Sequence, residues 1–227
     1  NGEYCVIHNF RTRYVEYYFQ SFYGIEPENL LVLEEFWAQT YLGQPGDKEQ
    51  YFSMLRMLDK AFPEIEFITS KALRNTSQYQ KIAGQMDIDN FIDYNIAQIY
   101  LSNTDWPHNN IRFWRYKNQG PRPTGEDNPW KDGRWRWIVF DLDYAFDDPE
   151  YNMLAFATRE GEWSTYLLRG LLENESFEAQ IITRMADHLN TTFSESTVAA
   201  QTRQIQELYT PEIEEQIKRW DNLGGSL

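Results

Sequence analysis

The chain is poor in the features that define several large protein classes. Its 227 residues include one cysteine, Cys5, so no disulfide can form within the chain, and cysteine content does not identify a compartment. No apolar run approaches the roughly 18 residues that cross a bilayer, so we expect no membrane-spanning segment. The chain starts without an initiator Met or a leader-like stretch, which predicts that it is part of a longer protein.

Basic residues are also scarce. Lys and Arg number 21 against 35 Asp and Glu, which gives a net charge of -14. Such a surface repels phosphate backbones, so nucleic acid is not an expected partner. The sequence also lacks a Gly-rich phosphate loop, an internal repeat and a linker-like stretch. We therefore expect one domain over residues 1–227, with a frayed tail at 221–227.

Hydrophobic periodicity indicates a mixed first part of about 150 residues. Residues 4–10 have the composition of a short strand, and apolar residues then recur at helical spacing until Gly24. The run LLVLEEF, residues 30–36, predicts another strand. Asp47 is the expected N-cap of a helix that Pro63 terminates.

The clearest predicted helix is MDIDNFIDYNIAQIYLSN, residues 86–103, with Asp87 or Asp89 as its N-cap. Two runs rich in β-formers follow it, IRFWRYK and RWRWIVFDLD, and they predict hairpin strands joined by a long loop rich in Gly, Pro and charge. From Trp163 onwards the pattern is helical. The fold class predicted from the residues is therefore α+β and mainly helical.

The octapeptide NTDWPHNN, residues 103–110, packs polar and turn-forming side chains directly after that helix. Pro107 favours a tight turn that carries Asp105, Asn109 and Asn110. Protein kinases place a catalytic Asp on a loop, a metal-binding Asn five residues later, then a hairpin and a metal-binding Asp. Asp105 and Asn110 have that offset, and the order of the parts is the same.

A second acidic pair, Asp141 and Asp143, follows the apolar run WIVF. If the strand persists, alternation places the two carboxylates on one side, where they favour a cation between them. Oxygen ligands suit Mg or Mn better than Zn. In this interpretation Asp105 accepts the proton of an attacking hydroxyl, and Asn110, Asp141 and Asp143 hold the metal. The alternative is that a lone Asp-x-Asp caps turns or pairs with Arg.

Positive charge is concentrated between residues 105 and 140, where seven bases stand against four acids. The bases are Arg112, Arg115, Lys117, Arg122, Lys131, Arg134 and Arg136, and the acids are Asp105, Glu126, Asp127 and Asp132. This local excess suits a phosphate-bearing ligand, and we assign Asn109, Arg112 and Arg136 to cofactor binding. A solvated hairpin is the equally weighted alternative.

Three stretches together resemble the spore coat protein H (CotH) kinase family. They are DIDNFIDYNIAQIYLSNTDWPHNNIRFWR, GRWRWIVFDLDYAF and LLRGLLENESFEAQIITRMADHLNTTF. The resemblance extends along almost the whole chain, and the Asn-x-Asp-Trp-Pro-x-Asn-Asn block is specific.

The resemblance implies an atypical protein kinase fold, with the amino-terminal part of the nucleotide-binding lobe preceding Asn1. It also implies that the chain transfers the ATP γ-phosphate, with Mg or Mn, to Ser or Thr of a secreted or surface protein. The chain itself would be an exported or surface protein of a bacterium. Asp105 matches the family's catalytic Asp, Asn110 and Asp141 its metal-side residues, and Asp143 the second acid of its Asp-x-Asp. His108 falls where relatives often have Gly and is interpreted as a loop residue.

Two departures from the family pattern keep other functions open. Thr12 stands where the family often has Glu, and Asp147 where it usually has Gly, so a catalytically inactive surface or assembly protein is the main alternative. A carbohydrate-binding module is a distant third, since the chain has 8 Trp residues and sugars stack on exposed rings. Its candidate residues are Trp106, Trp114, Trp130, Trp135 and Trp137. A haloacid-type phosphatase is disfavoured because Ala145 replaces the Thr or Val that follows its motif.

Overall fold

The computed structural model describes residues 7, 11–35, 37–57, 71–117, 128–160, 162 and 164–220. The chain divides into two compact units, residues 14–184 and residues 1–13 with 185–227. The larger unit contains a four-stranded antiparallel sheet and most of the helices, which confirms the α+β prediction. The single domain over residues 1–227 stays a prediction. The strand expected at 4–10, apart from residue 7, and the tail at 221–227 lie outside the described residues.

The elements are mostly short. The helices are α1 (Glu16–Tyr23), α2 (Glu49–Leu55), α3 (Thr76–Ala83), α4 (Ile88–Tyr100), α5 (Met153–Thr158), α6 (Tyr166–Leu172), α7 (Glu175–Asn190) and α8 (Glu195–Arg219). The strands are β1 (Leu30–Glu34), β2 (Gln39–Leu42), β3 (Arg112–Tyr116) and β4 (Arg136–Ile138), in the sheet order β2-β1-β3-β4. Within the described part of the chain, no helix combines the length and apolarity needed to cross a membrane.

Helix boundaries follow the predicted signals except at α2, which ends at Leu55, eight residues before the predicted terminator Pro63. Gly24 ends α1 in the left-handed conformation at φ 63°, and the Asp87 side chain caps α4 by accepting the Asn90 N–H. The prediction that Asp47 is an N-cap was wrong. Pro45 starts a 3-10 turn ahead of α2, so Asp47 lies inside that turn and its carboxylate accepts the backbone N–H of Gln44 at 2.9 Å.

The predicted strand and hairpin are both present, and β1 and the middle of β3 are buried on both faces of the sheet, whereas the edge strand β2 is partly exposed. On one face, Val32 and Trp114 pack with Phe19 of α1. On the other, Phe113 stacks on Trp137 with ring centroids 5.5 Å apart. Burial on both faces explains why β1 is a continuous apolar run rather than an alternating one.

Most of the tryptophans in the candidate sugar-binding set belong to the core. Trp106, Trp114, Trp135 and Trp137 are at most 6% exposed, whereas Trp130 is 38% exposed. Sugar rings need accessible aromatic faces, so the four buried rings cannot form a carbohydrate platform. The high aromatic content is explained by packing.

Helix α4 and strand β4 run side by side in the same direction. The Asp87 N–H donates to the Trp135 carbonyl at 2.9 Å, and the Asn90 amide both donates to and accepts from the Trp137 backbone. From residue 88 to 100 helix α4 rises about 18 Å at roughly 1.5 Å per residue. Strand β4 covers residues 136 to 138, and the chain leaves the sheet before it reaches Asp141. The Asn103 amide donates to the Asp141 carbonyl at 3.3 Å, so the two paths bring the 103–110 loop and Asp141 to the same end of the fold.

Candidate active site

The Asp105 carboxylate is held by the two asparagines at the end of its loop. The Asn109 amide donates to one carboxylate oxygen and the Asn110 amide to the other, both at 2.8 Å. The Asn109 N–H also donates to the Asp105 carbonyl at 3.0 Å, which closes the turn. Each carboxylate oxygen has two lone pairs, so each can still accept a proton or hydrogen bond from a ligand. The two asparagines therefore orient the carboxylate and leave part of its hydrogen-bonding capacity unused.

Trp106 anchors this loop to α4. Its side chain is 3% exposed, and its indole N–H donates to the Tyr94 hydroxyl at 2.9 Å. Burial raises the pKa of Tyr94 above its usual value, so the hydroxyl stays protonated and neutral. The next peptide bond, Trp106–Pro107, is cis. The buried indole therefore fixes the start of the loop that presents Asp105, Asn109 and Asn110.

Asp141 reaches the same loop through its backbone. Its carbonyl accepts hydrogen bonds from the Asn110 amide at 3.4 Å and from the Asn103 amide at 3.3 Å. Asn110 thereby bridges the Asp105 carboxylate and the Asp141 main chain. The expectation that the strand continues through Asp141 and Asp143 was wrong, because β4 ends at Ile138 and Asp141 adopts φ 54°. Both carboxylates are exposed in the turn that follows the strand.

Two further backbone hydrogen bonds join the segments. The Phe146 N–H donates to the Leu101 carbonyl at 2.8 Å, and the Thr104 N–H donates to the Tyr144 carbonyl at 3.4 Å. The chain after α4 and the turn that follows Asp141 are thus bonded on either side of Asn103.

Left-handed backbone is concentrated here. The described residues include six non-glycine residues with positive φ, and four of them, Ser102, Asn110, Asp141 and Phe146, lie in these two segments. Asn and Asp tolerate this region better than most residues. Such conformations persist only where the surroundings enforce them, and they recur at functional sites.

Arg112 has internal partners. Its guanidinium donates to Glu34 at 2.7 Å and lies between the rings of Tyr41 and Phe140, 4.2 and 4.4 Å from their centroids. The side chain is 14% exposed. Because Phe140 precedes Asp141, Arg112 packs beside the turn, but its charge is already balanced by Glu34. Asn109, the third residue assigned to the cofactor, donates to Asp105.

Arg136 is held more completely. Its side chain is 3% exposed and forms a bidentate pair with Asp132 at 2.8 and 2.9 Å and a further hydrogen bond to Asp87 at 3.1 Å. It lies five residues before Asp141, at the opposite end of β4, so the structure does not bring it to Asp105.

The positive patch inferred from the sequence is largely neutralised in the fold. Carboxylates pair with Arg112, Lys117, Arg134 and Arg136. Burial opposes ionisation of Asp132, yet hydrogen bonds from Arg136 and Arg134 outweigh it and lower its pKa to about 2. A count of charges along the chain therefore overstates the attraction for phosphate.

His108 faces a buried carboxylate. Its Nε2 lies 3.1 Å from a Glu162 oxygen, and the Glu162 side chain is 1% exposed. Glu162 also accepts hydrogen bonds from Ser164 and, at 2.6 Å, from Arg159. Burial alone would raise the pKa of Glu162, but these hydrogen bonds prevail and lower it to about 2.

Glu162 should make the protein acid-sensitive. Because its pKa in the folded state, about 2, is below its ordinary value of 4.5, its stabilising contribution is complete above pH 4.5 and is lost as pH falls towards 2. We expect the urea midpoints of the wild type and Glu162→Gln to differ most near pH 6 and to converge towards pH 2. Glu160→Gln, at a nearby exposed glutamate, should follow the wild type at every pH. A constant gap for Glu162→Gln would contradict the assignment.

The residues near Asp105 offer the types of ligand atom that a hard divalent cation prefers. The Asn110 carboxamide oxygen and the Asp141 and Asp143 carboxylates are the oxygen ligands that Mg and Mn prefer. In the described residues, however, no group of three or more His, Cys, Asp or Glu side chains is arranged to hold a metal ion. Mg is commonly bound by one or two carboxylates together with substrate phosphates.

Sequence reasoning missed Asn103 and Glu162. Asn after an apolar helix is normally interpreted as a stop signal, which conceals a second role for Asn103. Glu162 is 54 residues from its partner His108, and no local pattern connects the two.

Comparison with known proteins agrees with the resemblance noted from the sequence. A family model described as CotH kinase protein matches residues 31–226. The matched span contains the 103–110 loop, Asp141 and Glu162. No curated protein and no solved structure matches the chain.

Proposed function

The chain belongs to the CotH kinase protein family, and we propose that it transfers the ATP γ-phosphate to Ser or Thr of an exported or surface protein of a bacterium. We further propose that its fold is that of an atypical protein kinase. The observation that carries the proposal is the Asn110 amide, which bridges the Asp105 carboxylate and the Asp141 carbonyl. It joins the proposed base to the proposed metal side of the site.

In this proposal Asp105 orients the acceptor hydroxyl and takes its proton, since the two asparagine amides fix the plane of its carboxylate. Asn110, Asp141 and Asp143 would hold Mg or Mn. The metal, when bound, would neutralise charge on the transferred phosphate. The nucleotide contacts assigned to Asn109, Arg112 and Arg136 remain predictions, and Arg136 has the weakest case because its guanidinium is occupied by Asp132 and Asp87.

A non-catalytic surface or assembly role is the second candidate. It is favoured because, within the described residues, no group of three or more His, Cys, Asp or Glu side chains is arranged to hold a metal ion. Asp147 adds to it, because an exposed carboxylate stands there instead of the family's usual Gly. The two candidates differ in whether the folded protein binds a metal nucleotide.

The decisive experiment is the thermal midpoint of the full chain with and without Mn-ATP. At about 100 times its dissociation constant a ligand adds roughly 2.7 kcal/mol, which corresponds to roughly 5 to 10 °C for a domain of this size. We expect this shift to require both metal and ATP and to disappear in Asp141→Ala. Asp187→Ala, which removes an exposed carboxylate from α7, is the matched control and should keep the shift. A folded wild type without any shift would favour the non-catalytic role.

A further inference from the structure

Asn103 is a fully buried polar residue at the candidate site, with an exposed fraction of 0%. Its amide nitrogen donates to the Gln98 side-chain oxygen at 3.0 Å and to the Asp141 carbonyl at 3.3 Å. Its backbone carbonyl accepts the Trp106 N–H at 3.1 Å. One residue thus joins the end of α4, the Asp105 loop and the Asp141 turn.

The contact with Asp141 constrains an unusual backbone. At φ 54° Asp141 occupies the left-handed region, which a non-glycine residue keeps only when neighbours enforce it. Its carbonyl is fixed from two sides, by Asn103 from within the core and by Asn110 from the catalytic loop. Rotation of that peptide plane would break both hydrogen bonds. The direction of the Asp141 carboxylate is therefore tied to the Asn103 amide.

The side-chain oxygen of Asn103 is not hydrogen-bonded in the same way as the nitrogen. Its side-chain oxygen is buried and accepts no hydrogen bond within the described residues. Buried polar atoms are nearly always paired, because an unpaired one lowers stability. The two hydrogen bonds donated by the amide nitrogen therefore set the orientation of the amide, although this orientation leaves its oxygen without a hydrogen bond among the described residues.

We propose that Asn103 is a positioning residue for the metal nucleotide: by fixing the Asp141 peptide it sets the affinity of the site for a Mg or Mn nucleoside triphosphate. The inference rests on the proposed function, since it assigns Asp141 to that ligand. Residues that orient a metal ligand from behind typically change metal affinity by about 10- to 100-fold when replaced.

The test compares two buried asparagines. Asn103→Leu keeps the approximate shape and removes both donated bonds. Asn95→Leu makes the same replacement at a site that is 2% exposed, where, among the described residues, the amide donates one bond, to the Phe91 carbonyl of its own helix. Both variants should lower the midpoint of the ligand-free protein. With Mn-ATP at about 100 times the wild-type dissociation constant, only Asn103→Leu should lose half or more of the thermal shift, as a 10- to 100-fold weaker affinity requires.

The outcomes separate the inference from the function. A full shift in Asn103→Leu, or an equal loss in both variants, overturns the positioning role while the nucleotide site stands. A wild type without a shift overturns the proposed function and this inference with it. If the Leu variants do not fold, Asn103→Ala and Asn95→Ala provide the same comparison. Titration of Mg-ATP into the wild type, followed by NMR of the Asn103 side-chain amide, needs no variant, and an unmoved signal at saturation counts against the role.

Discussion

Replacing Asp105 with Asn should reduce phosphate transfer from ATP by about 10²- to 10⁴-fold, the usual contribution of a positioned general base. The substitution keeps the size of the side chain, but an amide cannot accept the proton of an attacking hydroxyl. Transfer would be measured from ATP to Ser- and Thr-containing test polypeptides by mass spectrometry. Because Asp105 is assigned to the acceptor rather than the metal, the Mn-ATP thermal shift should persist in the variant.

The matched control is Asp187→Asn, which makes the same change at an exposed carboxylate on α7 and should retain full transfer. Equal transfer by Asp105→Asn and the wild type would show that another group accepts the proton. Loss of the thermal shift together with transfer would instead place Asp105 among the metal ligands.

Arg136→Met should lower the free energy of unfolding by about 3 to 5 kcal/mol, the typical cost of removing one partner from a buried ion pair. The substitution removes the buried cation from Asp132 and Asp87 and leaves them the more exposed Arg134, although both carboxylates are largely enclosed, with side-chain exposures of 11% and 18%. Urea denaturation at pH 7 measures the change. It is a large fraction of the stability of a typical domain.

Arg134→Met provides an unusually close control. Arg134 contacts the same two carboxylates, but its side chain is 40% exposed, so its loss should cost about 1 kcal/mol or less. A similar loss in both variants would mean that burial does not govern this network. If Arg136→Met instead stays stable and loses only the Mn-ATP shift, the original assignment of Arg136 to the cofactor is correct.

Local signals in the sequence were sufficient for the elements that carry the site. Asp87 caps α4 as its position implied, and β3 and β4 form the hairpin predicted from two runs rich in β-formers. The five-residue offset from Asp105 to Asn110 likewise corresponds to a direct hydrogen bond, because both residues belong to one turn. Such features depend on neighbours along the chain, which a sequence displays directly.

Long-range contacts were not accessible in this way. Arg136 was assigned to the cofactor although its main partner Asp132 is only four residues away and was included in the count of charges, because such a count does not show which charges pair. Its second partner, Asp87, is 49 residues away and was not counted. The end of β4 at Ile138 was missed because Val139 and Phe140 continue the apolar pattern although they leave the ladder. The interaction of Asn103 with Asp141 spans 38 residues and becomes visible only when the two segments are placed together.

The parallel course of α4 and β4 makes chain length a determinant of the site. One residue inserted into the helix advances its end by about 1.5 Å and rotates it by about 100°, while one residue inserted into the strand advances its end by about 3.3 Å and reverses its faces. Either change would separate the Asn110 amide from the Asp141 carbonyl without altering a single site residue. The numbers of residues in α4 and β4 therefore contribute to the distance between the Asn110 amide and the Asp141 carbonyl.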